Sequence, residues 1–356
     1  MKKEKRFYAL IMAGGQGTRF WPWSTAEKPK QFLSIIGKEP LITQTYNRLK
    51  ELILEENIFI VADKKYLTAV REAIPGFKDE NYIAEPSPKN TAPCLMLSNI
   101  VLSRKNSDAN VMVVPADHYI PDEDVFAAQF LDALKCAETK CIVTSGIKPT
   151  TPHTGYGYIH FDEKKSGQVG DTQFFDVVEF KEKPEYRIAE EYVEAGHYYW
   201  NSGMFVYKLK YFKELLGEYS PYYFQKYNEL EDAFSEKGKF VEIFNRIEPE
   251  SIDYALMEKV KEVKMFEADF SWSDVGAWSS VYELNSKDEN NNAAGGNNGI
   301  FIDSQNSLIF STEEKPVAVI GLKDVTVINT ENGILVADIN ALQKVKRVID
   351  ELSKKT

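Results

Sequence analysis

The sequence of 356 residues predicts an α/β fold, in which a Rossmann-like, mostly parallel sheet is followed by a smaller β domain. Two observations carry this prediction. Short apolar runs alternate with segments of helical periodicity through the first 150 residues, a pattern typical of sheets covered by helices on both faces. After a polar, Asn- and Gly-rich stretch at 285–298, short apolar runs recur every 8–10 residues or so.

The elements of the first part are predicted in order. They are a strand over 7–13, a helix over 40–52, strands over 58–62 and 111–118, a helix over 124–138 and a strand over 141–147. Ligands of such sheets bind outside the carboxyl ends of the strands. Gly14, Asp117 and Gly146 each follow or end a strand, so we expect them along one edge of the sheet.

The second part of the chain has a different texture. Residues 151–275 form longer, aromatic-rich segments, which indicate additional strands within the same domain, where a second substrate could be held. Beyond the linker over 285–298, five short apolar runs and a helix over 339–352 predict a small, closed β unit.

Composition and charge narrow the classes of function. The net charge of −11 argues against a general nucleic-acid or anionic-membrane binder. The first 30 residues hold seven basic and two acidic side chains, a net +5, which leaves −16 for the rest. A basic segment on an acidic body suits a small anionic ligand. Three cysteines without zinc-type spacing fit a cytoplasmic setting.

The loop after the first strand, GGQGTR, is the strongest local signal of a binding site. Gly14, Gly15 and Gly17 permit positive φ angles and leave amide hydrogens open to an anion. The phosphate-loop pattern G-x-x-x-x-G-K-[ST] is absent, and Phe20 stands where a dinucleotide fingerprint needs a third small residue. A plain tight turn, or the loop of an oxidoreductase, would also explain the glycines alone.

The cations that follow this loop favour a phosphate ligand. Arg19 can bind phosphate oxygens bidentately, and Lys28 and Lys30 act as compact point charges. Pro22 and Pro29 stiffen the chain between them. A solvated basic loop would explain the lysines but not the glycines.

This segment resembles the signature of the sugar-phosphate nucleotidyltransferases, G-G-x-G-T-R-x-x-P-x-S…K-P-K-Q-F-L. Seven later motifs are similar to those of the family's guanylyl-transferring branch, occur in the family's order and cover nearly the whole chain. They are AEPSPKNTAP (84–93), VVPADHYI (113–120), GYGYI (155–159), VVEFKEKP (177–184), WNSGMFVYK (200–208), SIDYALMEK (251–259) and WSDVGAW (272–278). With the linker, the resemblance implies a catalytic domain over 1–284 and a β-helix-like domain over 299–356. It also implies a homodimer.

The reaction implied by the resemblance is attack by a sugar 1-phosphate oxygen on the α-phosphorus of a nucleoside triphosphate. For this chain the implied substrates are GTP and mannose 1-phosphate, and the products GDP-mannose and diphosphate. Because the reactants are polyanions, catalysis means neutralising charge and holding attacker and leaving group in line. A regulatory paralogue that binds a nucleotide sugar, or a transferase for another sugar 1-phosphate, are the alternatives.

The resemblance also implies which residues hold the phosphates. The loop Gly14–Gly17 with Thr18 would cradle the triphosphate. Arg19 would bind the departing diphosphate, Lys30 the phosphates at the reacting centre and Lys183 the sugar phosphate. An exposed, charged strand end is the ordinary interpretation of the segment around Lys183.

Two aspartates would hold the Mg²⁺ ion that the family implies. Asp117 ends the apolar strand in VVPADH, and Asp274 lies in WSDVG. Mg²⁺ usually takes one or two carboxylates and completes its shell with phosphate oxygens and water. An Asp after a strand is also often a turn or helix-cap residue. The two aspartates are 157 positions apart, and spacing alone does not bring them together.

Glu85 is the candidate for recognition of the base. Related thymidylyl- and uridylyltransferases carry a glutamine in the comparable segment. Guanine presents two adjacent donors, N1–H and the N2 amino group, and a carboxylate accepts both at once. Asn90 and Thr91 would help to line the nucleotide site. In the plainer interpretation, Glu85 only begins a turn before Pro86.

Three further residues are implied for the sugar. Gly157 would let the backbone approach it, Glu182 would bind its hydroxyl groups, and Asn201 would add a polar contact. His118, beside Asp117, is expected to be structural rather than a base, because the attacking phosphate is already ionised at neutral pH.

Overall fold

The computed structural model describes residues 3–15, 17–297 and 299–354, apart from the side chains of Lys165 and Ser353. Several positions of the predicted domain ranges and of the glycine loop lie outside the described residues. These are Met1, Lys2, Gln16, Asn298, Lys355 and Thr356.

A mixed sheet, nine-stranded over the described residues, forms the centre of the large domain. Its strands are β1 (Phe7–Met12), β2 (Ile58–Asp63), β3 (Tyr82–Glu85), β4 (Asn110–Pro115), β5 (Ile142–Ile147), β6 (Tyr158–Val169), β7 (Thr172–Lys181), β8 (Tyr198–Lys208) and β9 (Val263–Glu267). Their order in the sheet is β3-β2-β1-β4-β8-β5-β9-β7-β6. The first four are parallel, and β8 runs antiparallel between β4 and β5. The α/β prediction is confirmed.

Helices cover both faces of this sheet. They are α1 (Leu41–Leu52), α2 (Leu67–Ala73), α3 (Thr91–Asn106), α4 (Glu123–Cys136), α5 (Tyr186–Ala195), α6 (Leu209–Tyr219), α7 (Pro221–Asp232), α8 (Lys237–Asn245) and α9 (Trp278–Leu284). The continuous apolar run of β1 follows from this burial, because Leu10 packs with one hydrophobic cluster while Ala9 and Ile11 pack with the other. Within the part of the chain described, no helix combines the length and apolar character needed to cross a membrane.

The small C-terminal domain is a short stack of parallel strands. Its elements are β10 (Ala293–Gly296), β11 (Gly299–Ile302), β12 (Leu308–Ser311), β13 (Val317–Ile320), β14 (Val325–Thr330), β15 (Gly333–Asp338) and α10 (Val345–Ser353). Strands β10, β12 and β14 pair in parallel, as do β11 and β13, while β15 returns antiparallel to β14. This confirms the β-helix-like prediction. Strand β10 lies within the stretch 285–298 predicted as a linker.

A shared aromatic cluster joins the two domains. The ring centroids of Phe20 and Trp278 lie 5.2 Å apart, and Trp278 lies 5.1 Å from Phe310 of β12. The ring centroids of Trp23 and Phe310 lie 4.9 Å apart, and the Trp278 indole N–H donates to the carbonyl of Trp21. The tryptophans after the glycine loop therefore fix that loop against the small domain.

Candidate active site

The glycine loop leaves the carboxyl end of β1 and turns back onto the segment that carries Lys30. Gly15 and Gly17 have φ angles of +93° and +60°. A Cβ on Gly17 would lie 2.5 Å from Lys30 Cβ and 2.8 Å from Lys30 N. The Ser24 hydroxyl donates to the Gly17 carbonyl over 2.7 Å, which closes the turn. The positive φ and the close packing both require glycine at position 17. Because Gly17 packs against the Lys30 backbone, it helps to set the position of Lys30.

Replacing Gly17 with alanine is expected to lower the free energy of unfolding by about 3 kcal/mol, because a left-handed alanine and a clash with the Lys30 backbone add together. Gly14→Ala is the matched control: a Cβ there meets no atom within 4 Å. It should cost under about 1 kcal/mol. Denaturant unfolding measures both, and equal losses would contradict the packing argument.

The Lys30 side chain joins the two predicted metal aspartates. Lys30 is 5% exposed. Its ammonium donates to Asp117 Oδ2 over 2.9 Å and to the backbone carbonyl of Asp274. Tyr119 and Ser273 exchange two backbone hydrogen bonds of 2.9 and 3.0 Å. These contacts bring the two distant aspartate segments side by side.

The environment of Asp117 keeps its carboxyl ionised. Burial acts to raise the pKa of Asp117, but the charge of the Lys30 ammonium and its hydrogen bond to the carboxylate outweigh burial and hold this pKa below its usual value. Burial lowers the pKa of His118 to about 4, so its ring is neutral. The Trp272 indole N–H donates to His118 Nδ1 over 3.1 Å, which occupies that nitrogen as an acceptor. A neutral, hydrogen-bonded ring fits a structural role.

The Asp274 carboxylate is oriented by a partly buried tyrosine. Tyr156 donates its hydroxyl to Asp274 Oδ1 over 2.8 Å, and burial followed by the charge of Asp274 raises the pKa of Tyr156, so the phenol keeps its proton. The next residue, Val275, is fully buried with φ +45°, a strained conformation for a β-branched residue. A Cβ on Gly276 would lie 3.0 Å from Asp274 Oδ2. The local backbone is shaped around this carboxylate.

The two aspartates suit a hard divalent cation. Lys30 is the single side chain that donates to the Asp117 carboxylate among the described residues, and Tyr156 the single one for Asp274. The described residues contain no group of three or more His, Cys, Asp or Glu able to hold a metal. Two carboxylates that leave the remaining positions to phosphate oxygens and water match the chemistry of such an ion.

A cavity of about 300 Å³ opens over these groups. Arg19 lines it and is exposed, with no ion pair to any described residue. The small domain contributes Lys346 of α10. The full lining is Gly17, Thr18, Arg19, Phe20, Lys30, Asp117, His118, Asp274, Gly276 and Lys346. A chamber with several cations around two carboxylates is suited to a metal-bound polyphosphate.

An adjoining pocket of about 180 Å³ brings together the three residues predicted for the sugar. A Cβ on Gly157 would lie 2.6 Å from Glu182 Oε2, so the glycine makes room for that carboxylate. Asn201 Nδ2 donates to Asp253 Oδ1 over 3.2 Å. Burial, with the nearby charge of Glu182, raises the pKa of Asp253 to about 7. Asp274 lines both this pocket and the first cavity, so the two adjoin at Asp274.

A third cavity of about 600 Å³ holds Lys183 and shares Arg19 and Asp274 with the first. Lys183 has φ +46°, and its ammonium pairs with the Glu182 carboxylate. The shared Asp274 makes the three cavities one continuous site, which we call the cleft. Its wall is aromatic, with the His153 ring stacked on Tyr156 at 3.9 Å.

Glu85 lies elsewhere on the same edge of the sheet. It ends β3 and pairs in register with Asp63 of β2, and at strand spacings of roughly 4.8 Å β3 is about 10 Å from β1. Glu85 is 7% exposed, and its Oε1 has no hydrogen-bond partner among the described residues. Burial raises the pKa of Glu85 to about 7, against a backbone hydrogen bond from Lys89. A buried acceptor without a partner is suited to a ligand donor.

Asn90 and Thr91 hold local structure beside Glu85. Asn90 has φ +69°, and its Oδ1 accepts from the Thr91 N–H over 2.8 Å at the start of α3. The Thr91 hydroxyl accepts from the Ile252 N–H over 2.8 Å. Their predicted contact with the nucleotide stays a prediction, as do the roles of the other site residues.

Sequence reasoning missed several residues of the cleft. Tyr156 and Trp272 lie inside the motifs GYGYI and WSDVGAW, so the motifs could have indicated them. His153 stands two residues before the first of these motifs. Lys346 has no local signal, because an exposed lysine on an amphipathic helix is ordinary.

A mixed sheet with a glycine loop, fixed cations and two neighbouring aspartates at its carboxyl edge is typical of nucleotide-transferring proteins. A family profile described as nucleotidyl transferase matches residues 8–291, and one described as MannoseP isomerase/GMP-like beta-helix domain matches residues 297–352. The chain belongs to the nucleotidyl transferase family and is an enzyme of that class.

Named relatives extend over nearly the whole chain. The mannose-1-phosphate guanylyltransferase of Escherichia coli strain K12 is 36% identical over 98% of this chain and 74% of its own length. A putative mannose-1-phosphate guanylyltransferase of Vibrio cholerae serotype O1 is also 36% identical, over 97% of this chain and 74% of its own. A crystal structure from Thermus thermophilus, titled a mannose-1-phosphate geranyltransferase, has a TM-score of 0.87 and 28% identity, and covers 98% of this chain and 99% of its own.

The family membership sets the general chemistry. Members combine a nucleoside triphosphate with a sugar phosphate and release a nucleotide sugar and diphosphate. They generally use a divalent metal ion. The cavities and charges of the cleft are those that such a reaction needs.

Proposed function

We propose that this chain transfers a guanylyl group from GTP to mannose 1-phosphate, giving GDP-mannose and diphosphate. The observation that carries the proposal is the convergence of Lys30, Asp117 and Asp274 between a cation-lined cavity and a polar, aromatic pocket. The choice of GTP and mannose is supported by the names of the relatives and by the buried carboxylate of Glu85.

The chain's own groups position and neutralise the reactants. The glycine loop and Arg19 bind the β- and γ-phosphates, and Lys30, which lines the same cavity, binds the α-phosphate. A phosphate oxygen of mannose 1-phosphate forms a bond to the α-phosphorus, while the bond from that phosphorus to the bridging oxygen breaks and diphosphate leaves. The attacking oxygen is already ionised, so no general base is needed. Lys183 and Glu182 hold the sugar phosphate and a sugar hydroxyl.

Asp117 and Asp274 are the groups that would hold Mg²⁺. Bound there together with phosphate oxygens, the ion would neutralise charge that develops on the α-phosphate. The Lys30 ammonium keeps Asp117 ionised and placed, and the Tyr156 hydroxyl orients Asp274. Removal of the metal with a chelator should stop turnover.

The test is release of diphosphate by the purified protein with Mg²⁺, across a panel of nucleoside triphosphates and sugar 1-phosphates. The proposal expects the highest kcat/KM with GTP and mannose 1-phosphate. Faster release with another sugar 1-phosphate would favour the alternative transferase. No release with any pair would favour a regulatory paralogue and overturn the proposal.

Glu85→Gln should weaken the preference for GTP over ATP by tenfold or more, because an amide cannot accept both guanine donors. The folded pKa of about 7 lies above the usual value, so the carboxylate dominates above pH 7 and is lost as the pH falls. The wild-type preference should therefore be roughly tenfold weaker at pH 6 than at pH 8. The ratio of kcat/KM for the two nucleotides measures both effects.

The exposed Glu80→Gln serves as the matched control for this prediction and should keep the wild-type preference and pH profile. The Glu85→Gln variant should lose the pH dependence of the preference along with its magnitude. A variant that remains selective for GTP would remove Glu85 from recognition of the base.

A homodimer built on the small domain is part of the proposal. Ile302 and Ile320 pair across β11 and β13 and are 48% and 60% exposed. Ile334 and Val336 project from β15 with similar exposure. Exposed aliphatic side chains on the sheets of a small domain are typical of subunit interfaces. The mass in solution, measured by sedimentation, tests this part.

The proposed setting is the cytoplasm, and the proposed domain ranges are 1–284 and 299–356, with β10 of the intervening stretch paired to β12 of the small domain. Cys94, Cys136 and Cys141 are free thiols, which fits a reducing compartment. The two family matches meet near the stretch 285–298, since one ends at residue 291 and the other begins at 297.

A further inference from the structure

Lys346, on the last helix of the chain, faces the phosphate cavity of the large domain. It lines the same 300 Å³ cavity as Gly17, Arg19 and Asp274. It is absent from the lining of the 180 Å³ pocket and of the 600 Å³ cavity, where the residues proposed for the sugar lie. This side chain therefore belongs to the end of the cleft formed by the glycine loop.

The helix that carries Lys346 is anchored where it meets the large domain. Val345, the residue before it, is 3% exposed in the shared aromatic cluster, and Leu342 is 1% exposed there. The Asp338 carboxylate accepts from the Asn340 N–H over 2.7 Å at the start of the turn that leads into α10. Helix α10 packs on the turn Thr18–Phe20. The backbone of Lys346 is thus held against the glycine loop.

The charges of the cavity indicate that Lys346 neutralises phosphate oxygens. Lys30 is already engaged by Asp117 and by the carbonyl of Asp274. Arg19 and Lys346 are the lining cations that have no ion pair to a described residue. A diphosphate group carries several negative charges, and one guanidinium neutralises a minority of them. A second free cation, contributed to the same cavity by the small domain, supplies what the first lacks.

We propose that Lys346 binds the β- and γ-phosphates of the nucleotide and stays on the diphosphate product, so that the small domain completes the active site. This inference rests on the proposed function only in naming the polyphosphate as part of the substrate. The glycine loop and Arg19 bind that group from the large domain, and Lys346 binds it from the small domain. Mannose 1-phosphate lies beyond its reach, at the Glu182 end of the cleft.

The test compares Lys346→Met with Lys344→Met in the full-length protein. Lys344 is exposed two residues earlier and lines none of the three cavities, and its substitution changes the net charge equally. Calorimetry with inorganic diphosphate and Mg²⁺ gives a direct dissociation constant. We expect Lys346→Met to weaken diphosphate binding and to raise the KM for GTP by about tenfold each, as for loss of one hydrogen bond to a charged group.

Specificity of the effect is part of the expectation. The KM for the sugar phosphate should change less than twofold, Lys344→Met should match the wild type, and Lys346→Arg should restore most of the affinity. An unchanged diphosphate affinity in Lys346→Met, or an equal loss in Lys344→Met, would overturn the proposal. Thermal unfolding of all variants separates binding from stability, since a purely structural role would lower Tm without altering the affinity of the folded protein.

Failure of this inference is distinguishable from failure of the proposed function. If the wild type binds diphosphate and Lys346→Met does not, the inference holds whichever sugar phosphate proves to be the substrate. If the wild type releases diphosphate from GTP and mannose 1-phosphate but Lys346→Met is unaltered, the inference alone is wrong.

Discussion

Lys30→Met is expected to lower kcat by on the order of a thousandfold while changing the KM for GTP by less than about fivefold. The ammonium is buried and joins Asp117 to the Asp274 backbone, so its loss removes a fixed positive charge beside the reacting phosphate and leaves the Asp117 carboxylate without its cation. Methionine keeps most of the length of the side chain, which limits the effect on packing. Steady-state kinetics of diphosphate release make the measurement.

The sequence groups Lys28 with Lys30 as a candidate phosphate ligand, but Lys28 is exposed and absent from the lining of the cleft, so Lys28→Met is the matched control. It should keep kcat within about twofold of the wild type. If Lys30→Met retained full turnover, the contacts of Lys30 with Asp117 and Asp274 would play no part in catalysis. Circular dichroism of both variants checks that the sheet is intact.

The second large effect concerns the metal aspartates. Asp117→Asn should lower kcat by on the order of a thousandfold, because a neutral amide binds a hard divalent cation poorly and no longer balances Lys30. The variant should also lose the tightening of GTP binding that Mg²⁺ gives the wild type. Trp272, which lies in the cleft and bonds to His118, provides a fluorescence signal for this titration.

Asp124→Asn controls for the change in charge, since Asp124 is exposed near the start of α4 and outside the cleft. Its GTP affinity should respond to Mg²⁺ as the wild type does. A metal response preserved in Asp117→Asn would show that the ion is held elsewhere, even if turnover fell.

The parallel half of the sheet could be predicted because burial on both faces imposes a local composition. Strand β1 is apolar at every position for this reason, and the central residues of β2 and β4 are apolar as well. The antiparallel insertion of β8 between β4 and β5 could not be predicted, because a buried strand has the same composition in either direction. Strand β10 could not be predicted for a different reason, because its Ala and Gly residues are typical of a linker.

The candidate site divides in the same way. A local backbone requirement, such as the positive φ of Gly17, restricts the residue type at one position. The sequence therefore predicts the motif around Gly17. The approach of Asp117 to Asp274 depends on the bridge between Tyr119 and Ser273, which joins residues 154 positions apart and leaves no periodic trace. Lys346 reaches the cavity because of how two domains dock, which no stretch of sequence records.

The aromatic cluster around Trp278 couples the stability of the two domains. Phe20 and Trp23 contribute to that cluster from the segment directly after the glycine loop, and Phe310 contributes from β12. Cutting the chain between residues 285 and 298 would expose the indole of Trp278 on one fragment and the ring of Phe310 on the other. Destabilising the small domain should therefore weaken nucleotide binding first, under conditions in which the large sheet is still folded.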